Sequence, residues 1–154
     1  HCISVDPWFL VGDYPTLTPL ISTALNINVS MPEYTLNRAY EIMKENDIDS
    51  AAKVGIYGLT YKENVDDVRE SPTLQMLESM ERHLCGSFCK VYDPWVEKDI
   101  VPNQVHGFDE FLEGLEMVIV MVGHSQIREN PNLFGDLVIL DTRNVCTGEK
   151  VYRL

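Results

Sequence analysis

Met117-Val-Ile-Val-Met-Val122 is an uninterrupted apolar run that ends at Gly123, and Leu137-Val-Ile-Leu140 is a second run that ends at Asp141. A strand whose side chains are apolar on both of its faces is typical of a parallel sheet that is covered on both faces. The two runs therefore predict two strands in the buried interior of such a sheet.

Strands and helices alternate along the chain before these runs. We predict strands at Lys53–Leu59 and Phe88–Asp93. Apolar residues recur at helical spacing in Pro72–Leu84, where Ser71 is a suitable N-cap, and a short helix is predicted at Phe108–Leu115. The β-α-β-α-β order predicts an α/β fold, a Rossmann-like doubly wound parallel sheet.

A long helical segment precedes this alternation. Residues 16–46 carry apolar side chains every three to four residues, and Pro32 lies among them, so we expect either two helices or one kinked helix. An apolar stripe of this length needs a partner, and we expect a homodimer through residues 16–46 or contact with another domain. The alternative is a hairpin folded onto the downstream domain. In either case we expect the domain boundary near residue 50.

The composition limits the kinds of partner. The chain has 154 residues, a net charge of −12 and no Lys or Arg before Arg38, which argues against nucleic-acid binding. No apolar run is long enough to cross a membrane. The four cysteines (Cys2, Cys85, Cys89 and Cys146) fit no CxxC zinc pair, so we expect no metal site and a reduced, cytoplasmic setting. We expect Cys85 and Cys89 to be packing residues.

The carboxyl ends of the predicted strands carry the candidate binding residues. Parallel sheets bind ligands at this edge. Lys62, Arg69 and Arg143 lie in the loops that follow strands, and cations gathered at one edge of an acidic protein favour an anionic ligand. The first strand is followed by Gly58-Leu-Thr-Tyr-Lys62 rather than by GxGxxG, so we do not expect this sheet to bind NAD in the usual manner.

Three stretches have the character of motifs. They are the opening His1-Cys-Ile-Ser-Val-Asp-Pro-Trp-Phe9, the long motif Gly58-Leu-Thr-Tyr-Lys-Glu-Asn-Val-Asp-Asp-Val-Arg-Glu-Ser-Pro72, and Leu140-Asp-Thr-Arg-Asn144. Together, and in this order, they resemble the UDP-glucose/GDP-mannose dehydrogenase family. The resemblance implies that residues 1–50 are the end of a central helical dimerisation domain and that residues 51–154 are the UDP-sugar-binding domain. Since the chain opens with His rather than Met, we expect it to be a fragment of a longer protein, and the resemblance implies that it is the C-terminal part.

The resemblance also implies an oxidoreductase. Members of the family oxidise C6 of a UDP-sugar to a carboxylate with two NAD, which an N-terminal domain mainly binds. By match to the motif, Cys2 is the nucleophile that holds the intermediate aldehyde as a thiohemiacetal and then as a thioester. Asp6 matches a carboxylate with a general acid/base role. On the residues alone, Asp6 could equally be a helix cap or a turn residue.

Binding roles follow from the same resemblance. Tyr61 and Lys62 match positions that contact the UDP moiety, and Arg143 matches a basic residue near the same ligand. Arg69 matches an arginine on the cofactor side. On the residues alone, Lys62 and Arg143 could instead pair with neighbouring carboxylates, and Arg69 could form a structural salt bridge.

Further details of the resemblance bear on which UDP-sugar is the substrate. His1-Cys-Ile3, Asp6-Pro-Trp-Phe9 and Gly123-His-Ser-Gln126 are most similar to the branch of the family that acts on UDP-N-acetyl-D-mannosamine. We therefore expect a UDP-N-acetylhexosamine as substrate and a place in polysaccharide biosynthesis. The alternatives are a UDP-glucose 6-dehydrogenase and a non-catalytic nucleotide-binding or dimerisation module. Many relatives carry an arginine where this chain has Leu25, so a contact made there in relatives is in doubt here.

Overall fold

The computed structural model describes residues 2–83 and 89–154, and the side chains of residues 5–80 and 89–154. Cys85 and the predicted strand start at Phe88 lie outside the described residues, as does the predicted end of the third helix at Leu84. The chain begins with two helices, α1 (Cys2–Asp13) and α2 (Pro19–Glu45).

A parallel sheet forms the centre of the fold. Its strands are β1 (Val54–Tyr57), β2 (Lys90–Tyr92), β3 (Met117–Val120), β4 (Val138–Asp141) and β5 (Val151–Arg153). They lie in the order β2-β1-β3-β4-β5, and every pair is parallel. The predicted α/β Rossmann-like fold, preceded by a long helical segment, is confirmed.

Three further helices connect the strands. They are α3 (Pro72–His83), α4 (Phe108–Leu112) and α5 (Ser125–Arg128). The predicted cap of α3 is present, because the Ser71 hydroxyl accepts a hydrogen bond from the backbone N–H of Thr73 at 3.2 Å. Helix α5 and strand β5 were not predicted from the sequence.

The sheet is covered on both faces, as its apolar strands require. One face packs against α2 and α3, and the other packs against α4 and α5. Side chains of β3 alternate between the two layers: Met117 and Ile119 lie in the first, and Val118 and Val120 lie in the second.

Helix α2 has two environments along its length. It is one helix with Pro32 inside it, so the two-helix alternative is wrong. Its second half packs onto the sheet domain through Leu36, Ala39 and Ile42, which are buried in the core. Its first half contacts α1 but leaves a row of apolar side chains exposed. The second half thus already has a partner, so the expectation of a further partner stays a prediction for the first half alone.

The two cysteines whose side chains are described are packing residues. Burial raises the pKa of the Cys89 thiol to about 12. Burial, and secondarily the nearby carboxylate of Asp141, raises the pKa of Cys146 to about 12 as well. A thiol of this kind is neither a nucleophile nor a metal ligand at neutral pH. The packing role predicted for Cys89 is confirmed.

Candidate functional site

The strand order creates a crevice between two neighbouring strands. After β1 the chain turns towards β2 on one side, and β3 lies on the other side, so the loops that follow β1 and β3 diverge. Ligands of open α/β sheets bind at such a point, beyond the carboxyl ends of the strands. The loop of residues 58–71 follows β1, and residues 121–124 follow β3.

Gly58 allows the first of these loops to form. Its φ of +99° is one that side-chain-bearing residues rarely adopt, and a Cβ there would lie 2.6 Å from the Cβ of Val122. The Gly58 N–H donates to the carbonyl of Tyr92 at 2.8 Å. A glycine therefore lets the backbone leave β1 directly against β3.

A cavity of about 390 Å³ lies in the crevice. Its lining consists of residues from α5 and from the loops after β1, β3 and β4: Tyr61, Lys62, Glu63, Val122, Gly123, Arg128 and Arg143. The structure thus brings together the three residues that the sequence analysis assigned to UDP. A cavity with three cationic side chains suits a ligand with more than one negative charge.

The side chain of Arg143 is held in place without a carboxylate partner. Its Nε donates to the carbonyl of Met121 at 2.7 Å, and its backbone N–H donates to Oδ1 of Asp141 at 2.9 Å. The other oxygen of Asp141 accepts from the backbone N–H groups of Val145 and Cys146. The carboxylate that could have paired with the Arg143 side chain is thus engaged by the backbone.

Lys62 lies beside an aromatic ring. Its Nζ is 5.5 Å from the centre of the Tyr61 ring. Among residues 5–80 and 89–154, no carboxylate lies within ion-pair distance of Lys62 or of the Arg143 guanidinium. The alternative in which Lys62 and Arg143 pair with neighbouring carboxylates is therefore not observed among these residues.

Sequence reasoning missed Arg128. Its Nε donates to the carbonyl of Gly123 at 2.8 Å, and its Nη2 lies 2.7 Å from Oε2 of Glu63. The ion pair joins the loop after β1 to α5 across the cavity. The available signal was the position of Arg128, a few residues past the end of a buried strand and thus near the binding edge.

A buried polar cluster lies behind the cavity. Oδ2 of Asp93 accepts from the backbone N–H groups of Leu59 and Thr60 at 2.6 and 3.2 Å, and lies 3.2 Å from Nε2 of His124. Burial raises the pKa of Asp93, but the hydrogen bonds from His124 and from the backbone outweigh it, so its pKa is lowered overall. The cluster was not predicted, although His124 stood in a quoted motif.

Arg69 forms the salt bridge that the residues alone allowed. Its Nη2 lies 2.6 Å from Oδ2 of Asp67. Hydrogen bonds from the side chain and the backbone of Arg69 lower the pKa of Asp67 to about 2. Arg69 is absent from the lining of the cavity beside Lys62, and its role on the cofactor side stays a prediction.

The candidate catalytic residues lie on α1. Cys2 begins this helix and its side chain is outside the described residues, while Asp6 is exposed one turn later. Residues four apart share one face of a helix. Trp8 of α1 and Leu25 of α2 line a groove of about 300 Å³ whose lining also includes Arg143. Arg143 therefore belongs to both concave surfaces, one leading to the loop after β1 and one leading to α1.

Two further features concern other kinds of site. In the part of the chain that the structure describes, no three His, Cys, Asp or Glu side chains come together in a way that could hold a metal ion. None of the helices in that same part has the length and apolar character needed to cross a membrane.

The fold and the cationic crevice define a Rossmann-like domain for an anionic ligand, and comparison with known proteins identifies its family. Residues 55–148 match the model of the UDP-glucose/GDP-mannose dehydrogenase family, UDP binding domain. The chain belongs to this family.

Several relatives resemble the chain over nearly all its length. A UDP-N-acetyl-D-mannosamine dehydrogenase of Methanocaldococcus jannaschii is 33% identical, and the match covers 97% of this chain and 35% of the relative. An NDP-N-acetyl-D-galactosaminuronic acid dehydrogenase of Ralstonia nicotianae is 29% identical, with 98% of this chain and 36% of the relative covered. The chain thus spans about a third of the length of these relatives.

Two solved structures of UDP-N-acetylmannosamine dehydrogenases also resemble the chain over nearly all its length. The UDP-D-ManNAc dehydrogenase from Pyrococcus horikoshii superposes with a TM-score of 0.82 at 25% identity, over 99% of this chain and 37% of that one. The UDP-N-acetyl-mannosamine dehydrogenase from S. aureus superposes with a TM-score of 0.76 at 33% identity, over 99% and 36% of the two chains. The helical segment and the sheet domain are therefore both shared with these enzymes.

Proposed function

We propose that this chain is the UDP-binding, C-terminal part of a longer NAD-dependent dehydrogenase that oxidises C6 of a UDP-N-acetylhexosamine, UDP-N-acetyl-D-mannosamine, to the uronic acid. The observation that carries the proposal is the crevice beside β1 and β3, whose lining includes Lys62, Arg128 and Arg143. The family match and the resemblance to enzymes about three times as long support it. Residues 1–50 are then the end of a helical domain, and residues 51–154 are the nucleotide domain.

The crevice has the charge that a diphosphate needs. The chain carries a net charge of −12, so an approaching anion is repelled overall and local cations must hold it. Lys62 and Arg143 have no carboxylate partner among the described side chains, so a phosphate competes with none at these two groups. The ring of Tyr61, beside Lys62, offers a flat surface for the uracil or the sugar.

In this proposal the sugar occupies the second concave surface. A ligand whose diphosphate lies at Arg143 can extend along the groove that Trp8 and Leu25 line, towards the helix that carries positions 2 and 6. In this proposal the Cys2 thiolate adds to the C6 aldehyde, and Asp6 serves as the general acid/base for the added oxygen and for hydrolytic water. Leu25 gives this wall an apolar surface where many relatives have a cation.

NAD accepts the two hydrides in the proposed reaction. The residues of the crevice do not fit a dinucleotide in the usual way, because the loop after β1 lacks GxGxxG and packs against Val122 at Gly58. We therefore assign NAD mainly to the part of the longer protein before this chain. Within the chain, Arg69 is the candidate contact, and it would have to bind the cofactor while paired with Asp67.

The partner proposed for α2 is a second copy of the chain. Leu20, Ala24, Ile27, Met31 and Tyr34 recur at alternating spacings of four and three residues. All are exposed, with Leu20 at 81%, Ile27 at 58% and Tyr34 at 56%. Alternating spacings of this kind form the seam between two packed helices. They support a homodimer within the predicted segment 16–46, and we also expect a cytoplasmic setting.

The substrate assignment is tested with the full-length protein. We expect NADH formation with UDP-N-acetyl-D-mannosamine in a ratio of two NADH per sugar, and little with UDP-glucose. Preferential turnover of UDP-glucose would favour the alternative UDP-glucose 6-dehydrogenase. UDP binding without oxidation of any UDP-sugar would favour a non-catalytic nucleotide-binding module.

A further inference from the structure

His124 has an unusual set of hydrogen bonds for a fully buried side chain. His124 lies a few residues after the end of β3. Both of its ring nitrogens are engaged: one contacts the loop after β1, and the other contacts that loop and Asp93, which anchors it. Nδ1 accepts the backbone N–H of Asn64 at 2.9 Å. Nε2 lies 3.2 Å from Oδ2 of Asp93 and 3.5 Å from Oγ1 of Thr60.

These contacts determine where the ring carries its proton. Because Nδ1 accepts a hydrogen bond from a backbone N–H, the proton is on Nε2 and points at Asp93. The Thr60 hydroxyl donates to the carbonyl of Lys62 at 2.8 Å, so its oxygen is also oriented within the loop. The neutral imidazole of His124 thus accepts a hydrogen bond from Asn64 at the end of the loop. It also donates a hydrogen bond to the carboxylate of Asp93, which holds the start of the loop.

The loop is fastened at both ends by this cluster. At its start, the N–H groups of Leu59 and Thr60 donate to Asp93. At its end, Asn64 adopts a φ of +58°, and its Oδ1 accepts the backbone N–H of Ser125 at 2.9 Å. The residues between these anchors, 61–63, form the part of the cavity lining that this loop contributes, with Lys62 among them.

We propose that His124 is a positioning residue, which with Asp93 and Asn64 holds the loop of residues 59–64 in the conformation that presents Tyr61 and Lys62 to the diphosphate of the ligand. This inference rests on the proposed function of the cavity. It adds that affinity depends on the buried pair of His124 and Asp93 and on the half-buried Asn64, none of which lines the cavity itself.

A purely structural role is the competing explanation. His124 also packs edge-on against the ring of Tyr57, with centroids 5.9 Å apart, and Tyr57 donates its hydroxyl to Gln126 at 3.0 Å. Loss of that hydroxyl removes a partly buried hydrogen bond beside His124 and leaves the loop contacts intact. Tyr57→Phe is therefore a matched control for the loss of stability alone.

The test distinguishes the hydrogen bond at Nδ1 of His124 from the hydrogen bond at Nε2. In His124→Asn the amide oxygen can take the place of Nδ1 and accept from Asn64, whereas in His124→Gln the amide can reach Asp93 but leaves the Asn64 N–H without its acceptor. With the full-length protein, we expect UDP to bind about tenfold more weakly to His124→Gln, and within about threefold of the parent to His124→Asn and Tyr57→Phe. Denaturant unfolding verifies that each variant is folded during the titration.

Equal affinity of His124→Gln and the parent for UDP would overturn the proposal, as would equal losses in all three variants. Hydrogen exchange of the amides of residues 59–64 without ligand is a second measurement that does not depend on UDP. We expect faster exchange in His124→Gln than in His124→Asn, and equal rates would contradict the fastening of the loop. If the parent does not bind UDP but the exchange rates differ as expected, the proposed function fails and the fastening stands.

Discussion

The Nε2 of His124 lies 3.2 Å from Oδ2 of Asp93, and the two buried side chains meet across the end of β1. Asp93 follows β2 and His124 follows β3, on opposite sides of β1 in the sheet. The pair therefore encloses the point where the loop after β1 leaves the sheet. This arrangement connects the stability of the fold with the shape of the candidate binding site.

The first prediction concerns the acid stability that Asp93 confers. Its pKa in the folded protein is lowered, so its stabilising effect is present above its ordinary pKa of 3.8 and is lost as the pH falls through the lowered value. We expect Asp93→Asn to reduce the free energy of unfolding at pH 7 by about 2 kcal/mol, the scale of lost charge-assisted hydrogen bonds. Urea unfolding from pH 7 to about 2.5 should show the two proteins converging in acid.

Asp47→Asn is the control for this series, because Asp47 is exposed and Asn tolerates its φ of 57°. It should follow the parent at every pH. If the gap between Asp93→Asn and the parent stayed constant down to the lowest pH, the carboxylate would not be the source of the effect.

The second prediction concerns Gly58. Gly58→Ala combines a positive φ with a Cβ placed 2.6 Å from Val122, and Gly114→Ala has the positive φ alone, with no atom within 4 Å. We expect Gly114→Ala to cost about 1 kcal/mol and Gly58→Ala about 3 kcal/mol or more in chemical denaturation. Equal losses would mean that the loop after β1 does not need its close approach to β3.

The third prediction concerns the exposed seam on α2. A charge at Ile27 would be buried in the proposed dimer, so Ile27→Lys should convert the full-length protein to a monomer at micromolar concentration. Asn26→Lys adds the same charge beside the seam and should leave the dimer intact. Molar masses from light scattering distinguish the dimer from the monomer. A parent protein that is monomeric, or an Ile27→Lys variant that stays dimeric, would contradict the seam.

The fourth prediction concerns Cys2. In the full-length enzyme, Cys2→Ser should reduce formation of the acid by about a thousandfold or more, because a serine hydroxyl is barely ionised at neutral pH. Cys89→Ala removes a buried thiol that lines neither of the two concave surfaces and should keep near-normal turnover per folded molecule. Quantifying the uronic acid by chromatography compares the two. Steady-state turnover of Cys2→Ser at the parent rate would refute the covalent role.

The sheet was predictable because its strands are short, apolar and separated by helical patterns. Met117–Val120 and Val138–Asp141 lie inside the predicted Met117–Val122 and Leu137–Asp141, and the predicted strands were one or two residues too long at one or both ends. Strand β5 was missed because Val151–Arg153 is a half-exposed edge strand with no apolar run. Helix α5 was missed because four residues are too few for a periodic pattern.

The site was predictable only in part. The position of Lys62 and Arg143 after strands places both at one edge of the sheet, and the structure has both in one cavity. The pairing of Asp93 with His124 depends on which strands are neighbours, and the order β2-β1-β3 is not contained in any local pattern. The ion pair of Glu63 with Arg128 joins residues 65 apart in the sequence and was invisible for the same reason.

The central claim is that this crevice binds UDP through Lys62 and Arg143. Calorimetric titration of the full-length protein with UDP tests it directly, using Lys62→Ala, Arg143→Ala and the control Lys150→Ala, which removes one positive charge from a surface outside this cavity. We expect each of the first two to weaken binding about tenfold or more, because a hydrogen bond to a charged group contributes about 1.5–3 kcal/mol, and we expect Lys150→Ala to match the parent. UDP binding to Lys62→Ala and Arg143→Ala as tight as to the parent would place the nucleotide elsewhere and contradict the account.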